Sequence, residues 1–473
     1  MPLHCNYEIR WKNFRALDDT DWLIIRPLTI LIGPNNAGKT SIISPLLLMD
    51  QTMSSRDAVT PLVTRGPLLD AGPFQNIIHK HDVSKPLFLG FRWHTHSKDE
   101  GKGRIGKIGS HPPGGIEVTL VAGDQSEDIL LKRFALFDSL KRPFLAQTRR
   151  RSGSYSLASS AFTVKRDTER RALTRTRPVN FLFSPSAAMR ELQKPRRKKE
   201  VIKFVEPSRA FNEYFGALSF AFGELTDVFR GLSYVGPLRE RPQRCYPVSG
   251  ELPISVGSRG EHMANLVRVG KGAFRRQLDK WVQRFEFGTR VRVQRISDEL
   301  FSLCFDGNSK ATRTNIADAG FGASQVLPLI VQALAARPRT LTIAEQPEIH
   351  LNPRLQYLLA DLFADMANSD HRVIVETHSE HLLLRLRRLV ASGKITPDKV
   401  ALYFVEKKKD GVSSVREIPI RENGSITSNT WPIGFFEDSL RESLALATAQ
   451  SERAKQTTAK KGSKSGSRQN ASR

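Results

Sequence analysis

Apolar residues follow two rhythms along this chain. Short unbroken runs bounded by turn residues, such as Leu28-Thr29-Ile30-Leu31-Ile32 and the segments 340–344 and 372–375, read as buried strands. Phe211, Tyr214, Phe215, Leu218, Phe222, Leu225 and Val228 recur at three- and four-residue spacings and predict an amphipathic helix over 210–229. Helices are also expected over 38–49, 262–287, 353–368 and 379–392. Strands are expected over 86–93, 116–121 and 129–137, and within 290–315 around an Asp306-Gly307 turn. Segment 400–418 reads as a hairpin turning at Asp410-Gly411. From Ser324 onward helices alternate with apolar strands, which predicts an α/β fold with parallel strands.

Composition divides the chain. Segment 95–205 departs from the periodic pattern: 96–115 is rich in Gly, Lys and Ser, and 149–177 is basic and Ser-rich with little periodicity. The expected organisation is an N-terminal lobe at 1–94, an inserted basic arm at 95–205 that is partly flexible, a C-terminal lobe at 206–446 and a disordered basic tail at 447–473. The net charge is +25. Segment 141–200 holds 17 Lys and Arg against 4 Asp and Glu, and segment 452–473 holds 7 against 1. Such an excess points to an anionic partner, nucleic acid first, with solvated basic loops as the plainer alternative. Cys5, Cys245 and Cys304 are far apart and form no CxxC pair, so neither a disulfide framework nor a zinc site is expected. No apolar stretch approaches the ~20 residues that span a bilayer, and 1–10 lacks a secretory pattern. The expected setting is cytoplasmic, away from membranes.

The strongest chemical signal follows the first buried strand. Gly33-Pro34-Asn35-Asn36-Ala37-Gly38-Lys39-Thr40 fills the pattern G-x-x-x-x-G-K-[ST] in full. The glycines let backbone approach phosphate closely, and the amides of Asn35, Asn36, Ala37, Gly38 and Ser41 converge with Gly33 at a helix N-terminus that favours anions. Lys39 supplies a point charge to the β- and γ-oxygens, and the Thr40 hydroxyl a ligand for Mg²⁺. ATP and Mg²⁺ are the expected ligands. A carboxylate for the metal is offered by Glu345, at the end of the run Thr340-Leu341-Thr342-Ile343-Ala344.

Several further motifs resemble one family. Glu345-Gln346-Pro347-Glu348-Ile349-His350-Leu351-Asn352-Pro353 is similar to the Walker B and D-loop of ABC-type ATPases of the OLD, RecF and SMC group. Asp318-Ala319-Gly320-Phe321-Gly322-Ala323-Ser324-Gln325 resembles their signature motif, and Glu376-Thr377-His378-Ser379 their switch histidine. Asn13-Phe14-Arg15 and Pro27-Leu28-Thr29 resemble the opening of such heads. Tyr234-Val235-Gly236-Pro237-Leu238-Arg239 and Gly257-x-x-Gly260-Glu261 resemble a subgroup that includes the ATPase subunits of the PARIS and Septu anti-phage systems. The resemblance covers 1–94 and 205–446.

It implies an ABC-type P-loop NTPase head, a mixed sheet flanked by helices. Two heads would meet head to tail, with Gly322, Ala323, Ser324 and Gln325 of one contacting the γ-phosphate held by the other; the plainer reading of this stretch is a glycine turn with a Ser324 N-cap. His378 would sense that phosphate. Gln75 is either a magnesium-facing glutamine or an ordinary loop residue. One departure is Gln346, where these ATPases place the general-base Glu; an amide cannot accept the proton, so slow hydrolysis is expected, with Glu348 as a substitute base. No nuclease, TOPRIM domain or coiled coil is expected beside the head, so a nuclease or toxin effector would be a separate chain. The basic segment 141–200 would hold nucleic acid or an acidic phage protein. The implied function is a sensor or scaffold ATPase of an anti-phage complex; the alternatives are a DNA-repair ATPase that clamps DNA and, third, a transporter subunit.

Overall fold

The computed structural model describes residues 7–93, 113–123, 128–194, 205–307, 312–338, 340–427 and 448. The chain divides into Met1–Ser425 and Ile426–Arg473, and every element below belongs to the first unit. The expected disordered tail and the basic run Arg196-Arg197-Lys198-Lys199 lie outside the described residues, apart from Thr448.

Strand β1 (Tyr7–Phe14) buries Tyr7, Ile9, Trp11 and Phe14 and pairs antiparallel with β2 (Leu17–Asp19) and β3 (Leu23–Ile25). Strand β4 (Leu28–Ile32) is buried at every residue, as a strand covered on both faces must be. Helix α1 (Lys39–Ser54) packs back on β1, where the Trp11 indole N–H donates to the Ile42 carbonyl at 2.9 Å. After the short helix α2 (Phe74–Ile77), β5 (Leu87–Trp93) returns to pair antiparallel with β1.

The segment expected as an arm continues this sheet in its described part. Strands β6 (Pro113–Ala122), β7 (Ile129–Asp138), β8 (Pro143–Arg149) and β9 (Tyr155–Ser159) add antiparallel beyond β5. Helices α3 (Asp167–Arg175) and α4 (Pro185–Gln193) follow, and Phe134, Tyr155, Phe181 and Phe183 join one hydrophobic cluster. Over 149–177 the sequence suggested a loosely ordered stretch; the structure has ordered elements there. The apolar period is short because the outer face carries Ser and Arg, and because inward groups within and just before this stretch are polar. Gln147 is fully buried, accepting from the Tyr214 hydroxyl at 2.9 Å, and Glu169 is fully buried, accepting from Ser208 N at 2.7 Å and Ser208 Oγ at 2.6 Å. Arg150, Arg151, Arg170 and Arg171 remain exposed.

The predicted amphipathic helix is α5 (Arg209–Arg230), capped by Ser208. It leads to β10 (Ser233–Val235) and β11 (Tyr246–Pro247). The single helix expected over 262–287 is two, α6 (Met263–Val269) and α7 (Ala273–Arg284), separated at Gly270 and at Gly272, whose φ of 55° does not continue a helix. A small antiparallel sheet joins β11 to β12 (Arg290–Arg295), β13 (Leu300–Asp306) and β14 (Arg313–Asn315). Then α8 (Phe321–Ala335), β15 (Leu341–Glu345), α9 (Pro353–Asn368), β16 (Arg372–Glu376) and α10 (Glu380–Ala391) alternate as expected, and β17 (Val400–Lys407) and β18 (Ser413–Glu417) form the hairpin.

Among the described residues the main sheet runs β10-β15-β16-β4-β17-β18-β2-β1-β5-β6-β7-β8-β9, with β3 on β1. The first five strands are parallel and the rest mainly antiparallel, so the fold is a mixed α/β sheet with helices on it.

Asp50 on α1 is 9% exposed, and burial pushes its carboxyl up to about 7. The folded state therefore favours the neutral acid over the unfolded state, whose reference value is 3.8. That contribution is complete below the reference value and is lost as pH rises through about 7. Asp50→Asn is expected to be more stable than wild type at about pH 8, by on the order of 3–4 kcal/mol, and indistinguishable near pH 4. Urea unfolding at the two pH values checks this; equal stability at both would remove the cost assigned to Asp50.

Candidate nucleotide site

Strand β4 delivers the chain into the loop Gly33–Gly38, and α1 begins at Lys39. Two glycines are required by space. A Cβ on Gly33 (φ 150°) would stand 2.0 Å from the Val405 carbonyl oxygen on β17, and one on Gly38 (φ 98°) 2.5 Å from the Ser413 hydroxyl. That hydroxyl donates to the Ala37 carbonyl at 2.6 Å, so the β17–β18 hairpin braces the loop. Asn35 and Asn36 are exposed, Ala37 and Ser41 buried. Helix α1 has no acidic residue in its first turn and no side-chain cap, which leaves its dipole available to an anion.

Lys39 is 3% exposed, and its amine donates to the carbonyls of Gly33 at 3.0 Å and Pro34 at 2.8 Å. Burial lowers its pKa, while Glu376 and Glu348 act in the opposite sense. The Thr40 hydroxyl lies 3.0 Å and 3.3 Å from the two Glu376 oxygens. Glu345 and Glu376 are the last residues of β15 and β16 and register partners, and Glu376 stands opposite Leu31 of β4. The site therefore sits at the carboxyl edge of three parallel strands, where open α/β sheets bind ligands.

Each acidic group is buried and held. The Tyr234 hydroxyl hydrogen-bonds the Glu345 carboxylate, while Glu345 Oε1 meets no partner among the described residues. Burial first, and then the charge of Glu376, push Glu345 up to about 7, and the Tyr234 bond opposes this. Arg239, 6% exposed, donates from Nη2 to the Glu345 carbonyl at 3.0 Å, while its Nε and Nη1 meet no partner. Burial lowers its pKa to about 10, with Glu348 opposing. Glu348 accepts the His378 backbone N–H at 2.7 Å and bonds Thr377, and its Oε2 has no partner among the described residues. His378 is half-buried, and burial together with Lys39 lowers its pKa, so the imidazole is neutral at pH 7. Gln346 adopts φ 43°, a strained position for a residue with a side chain, and its N–H donates to the Glu376 carbonyl at 2.7 Å.

Lys39, Thr40, Glu345, Gln346 and His378 are thus gathered on one edge. Buried carboxylate and guanidinium atoms without partners, beside a glycine loop and a lysine, suit a triphosphate with its magnesium. Gly322, Ala323, Ser324 and Gln325 stand at the start of α8 (Phe321–Ala335). Helix α8 packs on β10, α6, α7 and α9, and β10 lies three places along the sheet from β4. Ala323, Ser324 and Gln325 are buried; Gly320 is exposed and Gly322 half-exposed, against Leu351 and Leu355. Gln75 is exposed on α2, and its carbonyl is paired with His81 Nδ1 at 2.8 Å. Its helix reaches the loop region through Arg15, whose N–H donates to the Ile77 carbonyl at 2.7 Å and whose guanidinium donates to Ser44 Oγ at 3.3 Å.

Sequence reasoning did not assign Glu376, Tyr234 or Arg239 a place in the site. Glu376 was visible as a carboxylate at the end of a buried strand, the same signal that selected Glu345.

Residues 28–385 match the family described as "AAA domain, putative AbiEii toxin, Type IV TA system". The chain belongs to this AAA family. It is therefore a P-loop ATPase by family. Residues 395–446 of the AAA protein match a second family, a protein of unknown function (DUF3696). No curated protein matches it. Solved structures similar to it include the SMC head domain from Thermotoga maritima, at 9% identity and TM-score 0.36, covering 88% of this chain and 99% of that one. Another is the SmcHead bound to the C-winged helix domain of ScpA, at 13% identity and TM-score 0.38, covering 88% and 98%. A third is the Smc head domain with an extended coiled coil bound to the C-terminal domain of ScpA, from Pyrococcus furiosus, at 13% identity and TM-score 0.37, covering 88% and 96%. Among the described residues no helix is long and apolar enough to cross a membrane.

Proposed function

We propose that this AAA protein is the ATP-switched sensor or scaffold of a cytoplasmic prokaryotic anti-phage complex. It binds ATP with Mg²⁺, closes head to tail on a second copy, hydrolyses slowly and thereby holds or releases a separate effector, a nuclease or toxin. The observation that carries this reading is the convergence of Lys39, Thr40, Glu345 and His378 on one sheet edge. The glycine-led start of α8 would be brought to that edge by a second copy of the chain. Bound magnesium would neutralise charge on the β- and γ-phosphates. Lys39 and Thr40 orient the phosphates; His378, neutral and held by Glu348, faces the terminal one; Gln346 positions water without taking its proton. The partner's α8 would present backbone N–H groups near Gly320 and Gly322, because the side chains of Ser324 and Gln325 are buried. The magnesium role of Gln75 remains part of this proposal.

Gly320→Glu tests the arrangement. Gly320 has φ −53° and open space around a Cβ, so the chain accommodates the change. A carboxylate there favours the α8 dipole by about 0.3–1 kcal/mol but repels a phosphate. The expected variant folds, binds ATP as wild type and no longer dimerises with it in sedimentation. Dimerisation unchanged from wild type would refute the head-to-tail arrangement.

The exposed Arg150, Arg151, Arg170 and Arg171 support a second reading, an ATPase that clamps DNA. Duplex DNA that stimulates turnover, with binding that weakens steeply with salt, would favour it over an acidic protein partner.

A further inference from the structure

The threonine of a phosphate loop is the side chain that meets magnesium. Here Thr40 is bonded to Glu376, while Glu345 stands one strand further out. The sheet order dictates this: β16 lies between β4 and β15, so its last residue is next to the loop strand. Glu345 is engaged on its far side by Tyr234 of β10. Magnesium requires a near-octahedral shell with bonds of about 2.0–2.1 Å, so neighbouring ligand oxygens stand about 2.9 Å apart. Thr40 Oγ1 and Glu376 Oε2 are 3.0 Å apart. Glu376 is 4% exposed, Glu345 is 7% exposed, and among the described residues Glu345 Oε1 has no partner. Among the described residues no three acidic, His or Cys groups form a cage for a metal. That is expected of an ion completed by phosphate oxygens and water.

We propose that Glu376 ligates the nucleotide's magnesium directly, beside Thr40, with Glu345 acting from the outer side of the ion. This rests on the ATP-binding reading above and adds a residue to it.

The test is equilibrium binding of a fluorescent ATP analogue to the full chain, in excess Mg²⁺ and in EDTA. For Glu376→Gln the affinity in EDTA is expected to stay within about twofold of wild type, while the enhancement by Mg²⁺ falls at least tenfold, the scale on which metal sites respond to altered ligation. Thr40→Ala is expected to behave alike, and Glu345→Gln to lose less. Should Glu376→Gln fail to fold, Glu376→Asp decides. A carboxylate drawn back by one methylene weakens the Mg²⁺ effect, and Ca²⁺, with bonds of about 2.3–2.6 Å and a flexible shell, restores part of it. Full Mg²⁺ enhancement in Glu376→Gln, or an Asp variant with unaltered cation preference, overturns the assignment and leaves the ATP reading intact. Wild-type protein that binds no ATP in either condition overturns both.

Discussion

Lys39→Ala is expected to weaken ATP binding by about 10²–10³-fold. The amine is 3% exposed and lies in the field of Glu376 and Glu348. Removing it deletes the point charge offered to phosphate and leaves those buried carboxylates without their cation. Truncating one partner of a buried, hydrogen-bonded charge pair in a binding site, here the ammonium facing phosphate, costs about 2–5 kcal/mol, and each 1.4 kcal/mol is about tenfold in affinity. Arginine is no substitute, because a planar fork does not fit a space in which one ammonium meets the Gly33 and Pro34 carbonyls. Calorimetric titration with ATP and Mg²⁺ measures the effect. Affinity equal to wild type would mean that the loop Gly33–Thr40 does not hold the nucleotide.

The second large effect is a gain. Gln346→Glu is expected to accelerate ATP hydrolysis by about 10²–10⁴-fold, the usual contribution of a positioned base. Glu and Gln have the same shape, so the φ of 43° and the backbone bond to Glu376 carry over. Affinity should change only a few-fold, and an ATP-held dimer should fall apart sooner. Phosphate release under single-turnover conditions separates chemistry from product loss. No acceleration would refute the role given to Gln346 and move attention to Glu348. Its Oε2 has no partner, but its Oε1 is committed to the His378 N–H. Loss of turnover in Glu348→Gln with His378 undisturbed would then identify it as the base.

The parallel strands were legible because strands covered on both faces need unbroken apolar runs. Leu28–Ile32 and Leu341–Glu345 are buried at every residue and apolar apart from Thr29, Thr342 and the terminal Glu345. The phosphate loop was legible because its chemistry tolerates few substitutions, and Gly33 and Gly38 meet atoms that leave no room for a Cβ. The sheet beyond β7 was obscured. Its buried groups include Gln147 on β8 and Glu169 on the following helix α3, polar side chains that meet Tyr214 and Ser208, which are distant in sequence. The break between α6 and α7 was signalled by Gly270 and Gly272 but outweighed by the apolar spacing on either side.

The sequence by itself determined the P-loop ATPase class, the loop Gly33–Thr40, the strand-end carboxylates and the α/β alternation, because each depends on local residue types and spacing. Only the tertiary structure decided which carboxylate stands beside Thr40. Strand order in a parallel sheet is fixed by helix packing and crossovers rather than by order in the chain. That order sets β16 between β4 and β15, brings Glu376 to Thr40 and leaves Glu345 to Tyr234 and Arg239.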